Sequence, residues 1–318
     1  MRAFDTNASA TAASGVLIPR SVHLDLDGAW AETNLPTVNV RNWGPRLRFT
    51  CSPRAIEAFF REVEPQLSEK PAVTDRRYRF ILYGSGDFHH LTALWLRRLR
   101  EPFTLVAFDN HPDWDVRPPR WSCGGWINRA LELPLMKRAV IWGCGNFECW
   151  WPHQIFGNRK AERAGKLIVH PWADDRAAKA RNRRGAISRE NWRAEFQEFA
   201  AELDGENVYA TIDLDCLASG LAWTNWENGR FTCEDVQWAL ATLREHAHIV
   251  AGDLCGAYSE PRFARAKQRF TWEIDHPKIS LPKPDAIRAV NAVALAAVWP
   301  SLTQGDKNYA GADQDSAE

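Results

Sequence analysis

The stretch "AFDNHPDWDV" (107–116) sets Asp109, His111 and Asp113 at every second position behind a short apolar run. On a strand, residues i, i+2 and i+4 share one face, so two carboxylates and an imidazole would project together where the run ends. Three other apolar runs end in similar chemistry. "FILYG" is followed by "SGDFHH", with Asp87, His89 and His90; "VYATI" by "DLD", with Asp213 and Asp215; and "IVAG" by Asp253. Singly, each has a plain explanation: Asp87 as a helix cap, His89 as a satisfied surface histidine, Asp113 and Asp115 as loop acids. Together they are harder to dismiss, because converging carboxylates repel one another unless protonated or neutralised by cations. One or two divalent metals would supply that charge. A set made mostly of carboxylates with two imidazoles and no obvious thiolate suits manganese better than a structural zinc. Two such ions about 4 Å apart would lower the pKa of a shared water and yield hydroxide at neutral pH.

The elements that must position these groups are six apolar runs: 79–84, 103–109, 139–145, 166–171, 208–215 and 248–254. Helical patterns occupy 90–101, 188–203, 232–246 and 285–299, the second and third opening on Ser188 and Thr232 as N-caps. The last is expected to pack on the outside. Strands that read as continuous apolar runs and alternate with helices predict a parallel sheet covered on both faces, an α/β chain of three layers. In such sheets ligands bind beyond the carboxyl ends of the strands, which is where the acids and histidines sit. With no internal repeat and no linker rich in glycine and serine, one domain is expected over 16–303, between flexible tails at 1–15 and 304–318.

Composition narrows the function classes. The 318 residues are 45% hydrophobic, with 40 Lys+Arg against 40 Asp+Glu, so the whole molecule has no net field to attract nucleic acid or an anionic membrane. The basic segment 176–189 lacks interleaved aromatics and reads as a solvated loop. Seven scattered cysteines without CxxC spacing argue against a disulfide framework and for a reducing compartment. No signal-like leader or uninterrupted bilayer-length apolar stretch is evident. The expectation is a soluble cytoplasmic protein acting on a small molecule, without membrane or nucleic-acid partners, its oligomeric state left open. Sixteen tryptophans belong mostly to core, although those in "PDWD", "RWSCGGW" and "AWTNW" could wall a pocket.

At the strand-end motifs the sequence resembles the ureohydrolases: arginases, agmatinases and formimidoylglutamases. That family carries GGDHS, DAHxD and SxDxDxxDP in this order at strand ends of an arginase-type α/β/α fold. "SGDFHHLT", "DNHPD" and "TIDLDCLAS" stand for them here, across residues 80–255. The resemblance implies two Mn2+ ions held by His89, Asp109, His111, Asp113, Asp213 and Asp215, with Asp109 and Asp213 bridging. The inserted Phe88 makes His90 an alternative to His89, although "HHLT" aligns better through His89. The "ENGRFTCEDV" segment resembles the glycine-rich turn and capped helix that follow the third motif.

The departures bear on substrate. Where many family members have a proton-handling histidine-glycine pair, "WSCGGW" has Cys123, a proton shuttle or nucleophile if its pKa were lowered, or a structural cysteine. The family's D-x-x-E is met by Asp253, but Gly256 occupies the position of the glutamate that grips a guanidinium; Glu260 is the nearby substitute. Ala218 and Ser219 replace the final Asp-Pro. Cys123 and Asp253 are thus the candidate catalytic residues, Gly256 and Glu260 the substrate-binding positions. The implied function is metal-dependent hydrolysis of a C–N bond in an amidine, guanidine or amide-like small molecule, with a less cationic or bulkier substrate than those of ordinary arginase or agmatinase. The alternatives are a deacetylase-like amidohydrolase using one zinc, and a metal-binding pseudoenzyme or interaction protein.

Overall fold

All six apolar runs form strands, and their order in the sheet explains why the motifs meet. The computed structural model describes residues 21–30, 33–68, 78–177 and 181–304. Its strands are β1 (Ser21–Asp25), β2 (Thr37–Asn39), β3 (Thr50–Cys51), β4 (Phe80–Tyr83), β5 (Phe103–Phe108), β6 (Trp121–Ser122), β7 (Met136–Cys144), β8 (Leu167–Pro171), β9 (Asn207–Asp213) and β10 (His248–Cys255). Eight make one sheet in the order β2-β1-β4-β10-β9-β5-β7-β8, and β3 pairs with β6 separately. Every pairing in the large sheet is parallel, so all its strand ends point the same way. The four strands that carry the site motifs, β4, β10, β9 and β5, are neighbours at its centre.

Alternation along these strands divides the core in two. Leu105 and Ala107 of β5 and Ile141 of β7 join one apolar cluster, with Ile56, Phe59 and Val63 of the Pro53–Leu67 helix. Val106, Phe108 and Val140 join the other, with Phe196 and Leu240 from the Trp192–Ala201 and Cys233–His246 helices. This is the expected three-layer, mainly parallel α/β/α arrangement. The tail expectations for 1–15 and 304–318 fall outside the described residues, Gln304 apart.

The helical expectations needed more correction. Residues 90–101 are split between a 3₁₀ segment (Gly86–Leu91), one α-turn (Thr92–Trp95) and another 3₁₀ turn (Leu96–Arg98). Residues 86–96 are buried on every side, so packing overrides helical periodicity. Ser188 is not an N-cap: the helix starts at Trp192, and Asn191 Oδ1 accepts from the Ser188 amide and hydroxyl. Thr232 caps as expected, in a capping box with Asp235. Two further helices lie outside the expected set. Pro53–Leu67 is started by Ser52 accepting from the Ala55 amide, and Ala266–Asp275 buries little beyond Gln268.

The Pro284–Thr303 helix is, by length and composition, long and apolar enough to cross a membrane, although Asp285, Arg288 and Asn291 interrupt its apolar run. Here one side of it faces inward: Ala294, Val298 and Leu302 enter the core, and Asn291 bonds the backbone of Trp223 in both directions. The basic segment is also less free than expected, with Arg183 paired to Glu162 and Arg189 to Asp235.

Candidate metal centre

The Asp109–Asp113 segment is not strand, so strand alternation does not align its side chains. β5 ends at Phe108, and Asp113 takes a left-handed φ of 46°, a conformation aspartate tolerates better than most residues. That turn is held by the Ile127 amide donating to the Asp113 carbonyl at 3.2 Å. The Trp126 indole donates to Asp113 Oδ2 at 2.5 Å. Asp113 is thereby directed at His89, which follows β4.

His89 Nδ1 lies 3.0 Å from Asp109 Oδ2, 3.3 Å from Asp113 Oδ2 and 3.7 Å from Asp213 Oδ2. His111 Nδ1 lies 2.9 Å from Asp215 Oδ2 and 3.6 Å from Asp109 Oδ1. All six residues from the three motifs are buried. They fall into a group of His89, Asp109 and Asp113 and a group of Asp109, His111 and Asp215, joined through Asp109. Asp213 makes a third group with His89 and Cys255, and Cys255 Sγ donates to Asp213 Oδ2 at 3.4 Å. Cys255 is a neighbour that sequence reasoning missed.

The donor set fits cations. Two like charges about 4 Å apart cost about 4 kcal/mol at the effective dielectric of a protein, and four aspartates meet here. Their four formal charges equal those of two divalent ions. Burial, reinforced by neighbouring acids, pushes Asp113 up to about 7 and Asp215 up to about 6. Asp213 is driven well above the carboxylate range for the same reasons. Burial opposes charge on His89 and His111, but carboxylate partners hold both well above the ordinary histidine value. His89 Nδ1 has no hydrogen-bond partner of good geometry although three carboxylates surround it, as suits an atom shaped for a cation. Glycine leaves room for the cluster: a Cβ on Gly86 would lie 2.6 Å from Asp213 Oδ2.

The local chain holds the acids in place. Asp109 Oδ1 accepts from the His111 amide at 2.7 Å and Asp213 Oδ1 from the Asp215 amide at 3.0 Å. Asn110, another missed residue, ties three loops together. Its amide donates to Asp215 Oδ1, its Nδ2 to the Glu227 carbonyl, and its Oδ1 accepts from the Gly145 amide.

Between the two histidine candidates, the structure places His89 in the cluster. His90 points away, 3.7 Å from Cys51 Sγ, and burial lowers it to about 3. Asp87 is not a helix cap. It is a buried carboxylate that pairs with Arg48 at 2.6 Å and hydrogen-bonds His276 Nε2 at 2.7 Å.

The other candidate positions are redistributed. Asp253 does not line the cleft. It accepts from Tyr209 at 2.6 Å and Thr211 at 2.5 Å, and Thr211 Oγ1 meets His89 Nε2 at 2.9 Å; it is a positioning residue beneath the cluster rather than a catalytic one. Cys123 does line the cleft, but burial, with help from Asp87 and Asp113, raises its pKa well above the thiol value. That direction disfavours the thiolate an activated nucleophile needs. Gly256 has φ +103° and its Cβ direction is blocked by Asp213 and the Leu214 amide, so a glutamate there is sterically excluded. Glu260 does not reach back: its side chain is 80% exposed near Arg262, and it lines a separate cavity.

Instead, Glu148, Glu227 and Asp275 join the cluster residues around a narrow cleft of about 50 Å³. Glu227 Oε2 lies 3.4 Å from His111 Nε2. Its "ENG" turn is seated by the Gly229 amide on the Asp215 carbonyl at 2.5 Å. Of the tryptophans expected as pocket walls, only Trp226 lines this cleft, while Trp114 and Trp126 belong to the core.

No protein-family model matches the chain. A curated relative, an uncharacterized protein of Thermotoga maritima, is 27% identical over 174 residues, covering 54% of this chain and 55% of that one. The chain thus spans little more than half the length of the curated relative it matches. Solved structures align over far more. An arginase from Medicago truncatula aligns with a TM-score of 0.50 and 14% identity over 88% of this chain and 86% of the other. A formimidoylglutamase from Bacillus subtilis gives 0.50 and 11% over 90% and 88%. A candidate agmatinase from Clostridium difficile gives 0.51 and 14% over 89% and 96%. With its mainly parallel eight-stranded sheet and these alignments, the chain has the arginase-type fold.

Proposed function

We propose that this chain is a divergent ureohydrolase, a hydrolase dependent on two divalent cations that cleaves a C–N bond in a small amidine or guanidine. The observation that carries the proposal is the pair of ligand groups, one with His89 and one with His111, sharing Asp109. A lone zinc of the deacetylase type would leave the second group and its charge unused. Asp109, Asp113, Asp213 and His89 would hold one ion, and Asp109, His111, Asp213 and Asp215 the other. The carboxylate-rich donor set favours manganese. When bound, the pair supplies an acidified water and positive charge for the transition state.

The chain's own residues supply orientation and polarity. Thr211 and Asp253 fix the ring of His89, as partners behind a metal-binding histidine do. Glu227, bonded to His111 and partly exposed in the cleft, is placed to accept a proton from water or to hold a substrate N–H. The burial of the six ligands favours strong electrostatics around the reacting carbon. Hydrolysis of a guanidine adds water across the C–N bond and releases a urea and an amine; an amidine gives an amide and ammonia or an amine.

Ordinary arginase or agmatinase activity is not expected, because position 256 cannot carry the guanidinium-gripping glutamate. The test is a screen of amidines, guanidines and amides with manganese-loaded protein, reading ammonia, amine and urea release, with Asp109→Asn as control. Turnover that needs manganese and Asp109 supports the proposal. Manganese bound at the cluster with no turnover across these classes overturns it in favour of a non-catalytic metal protein.

A further inference from the structure

The acids added by tertiary structure point to the kind of molecule cut, an inference that rests on the hydrolase reading above. Glu148 follows β7, Glu227 follows β9, and Asp275 ends the Ala266–Asp275 helix; all three line the cleft beside the ligand cluster. Glu148 Oε2 is buried and has no hydrogen-bond partner. A buried carboxylate oxygen without a donor carries a desolvation cost that a ligand N–H removes. Glu227 keeps part of its carboxylate exposed while contacting His111.

No lysine or arginine is among the described residues that line this cleft. Arg117, whose charge acts on Asp275, is engaged by Asp115 at 2.5 Å and lies 4.0 Å over the Phe156 ring. With the four aspartates balanced by two divalent ions, a substrate carboxylate entering here would still meet Glu148, Glu227 and Asp275 and no lysine or arginine side chain. The remaining large lining groups are aromatic, Phe147 and Trp226. Phe147 is half exposed, and the segment it begins also exposes Trp151 and Ile155.

We propose that the substrate is a cation without a carboxylate, an amidine or guanidine bearing an apolar substituent. Glu148 and Glu227 accept from its N–H groups, in the charge-assisted geometry that planar cations favour. Phe147 and Trp226 receive the apolar part and face the cation with π-density.

Calorimetric binding to the manganese-loaded full chain tests this, using benzylguanidine, methylguanidine, arginine and neutral benzylurea. Benzylguanidine is expected to bind at least tenfold more tightly than each of the other three. Phe147→Ala should erase the benzyl advantage over methylguanidine, and Glu148→Gln should weaken both guanidines about tenfold without affecting manganese content. Arginine binding more tightly than benzylguanidine, or benzylurea matching it, overturns the proposal. If a variant does not fold, the wild-type ligand series decides alone. Tight benzylguanidine binding without turnover of any compound supports this inference and counts against the hydrolase reading. Turnover confined to neutral or carboxylate-bearing compounds keeps that reading and overturns this one.

Discussion

His89 turns Nε2 to the Thr211 hydroxyl at 2.9 Å, which leaves Nδ1 facing the aspartates. Thr211 in turn donates to Asp253, so a strand residue orients the ring of a candidate ligand in the 3₁₀ segment Gly86–Leu91. Thr211→Val keeps the branched shape but removes this bond. The expected result is a roughly 10–100-fold loss of manganese affinity, as for other partners of metal-binding histidines. Thr211→Ser should recover most of it. Manganese titration of both variants checks this, and unchanged affinity in the valine variant would refute the orienting role.

Asp109→Asn and Asp213→Asn should both abolish binding of the metal pair, yet differ without metal. His111 and His89 hold Asp109 below the carboxylate range despite its burial, so its charge stabilises the metal-free fold and its loss should lower Tm. Asp213 is held well above that range by burial and Asp215. Its replacement should leave metal-free Tm unchanged or higher. Thermal unfolding with chelator present separates the two.

Metal-dependent stabilisation should grow with pH. Asp113 near 7, Asp215 near 6, Asp213 and both histidines hold protons in the metal-free fold that ligation must displace. For the raised carboxylates, the metal-free stability contribution is fully present below the unfolded value of about 4 and is lost as pH rises through the folded values. The raised histidines lose theirs above the ordinary histidine range. Buried neutral His90 and His170, both lowered, work in the opposite direction but cancel when loaded and metal-free protein are compared. The manganese-induced Tm shift should therefore be small near about pH 5 and large near about pH 8. A flat profile would mean that these groups do not carry the exchanged protons.

Gly256→Ala should destabilise the fold by roughly 1–3 kcal/mol, the usual cost of a strained backbone, and also weaken metal binding. Its φ of +103° disfavours a side chain, and a Cβ would press on Asp213. Gly256→Glu should be worse, despite restoring the acid found at this place in the resembled family. Tm and manganese affinity of both variants provide the check. Gain of guanidine binding by the glutamate variant would show that the strand end rearranges.

Much of the candidate metal centre was legible along the chain because its acids and histidines travel in short motifs. Asp109 and His111, or Asp213 and Asp215, sit two residues apart and are tied by their own amides, so local chemistry reveals them. The apolar runs likewise announced a parallel sheet. The helical pattern at 90–101 breaks into 3₁₀ and α turns because the segment is buried on all sides as far as Leu96. The strand expectation for 109–113 failed because β5 ends at Phe108 and the chain then turns, with Asp113 in a left-handed conformation.

By itself the sequence pointed to six candidate ligands, their motif order and the layered fold, since each depends on hydropathy and spacing between near neighbours. Tertiary structure decided which histidine serves, that Asp253 supports rather than lines the site, and that Glu260 stays outside. It also brought Glu148, Glu227 and Asp275 to one cleft across about 130 residues of chain. No local pattern marks that convergence. It follows from the sheet order β4-β10-β9-β5-β7 and from loop bonds such as those of Asn110, which fix distances that sequence separation does not encode.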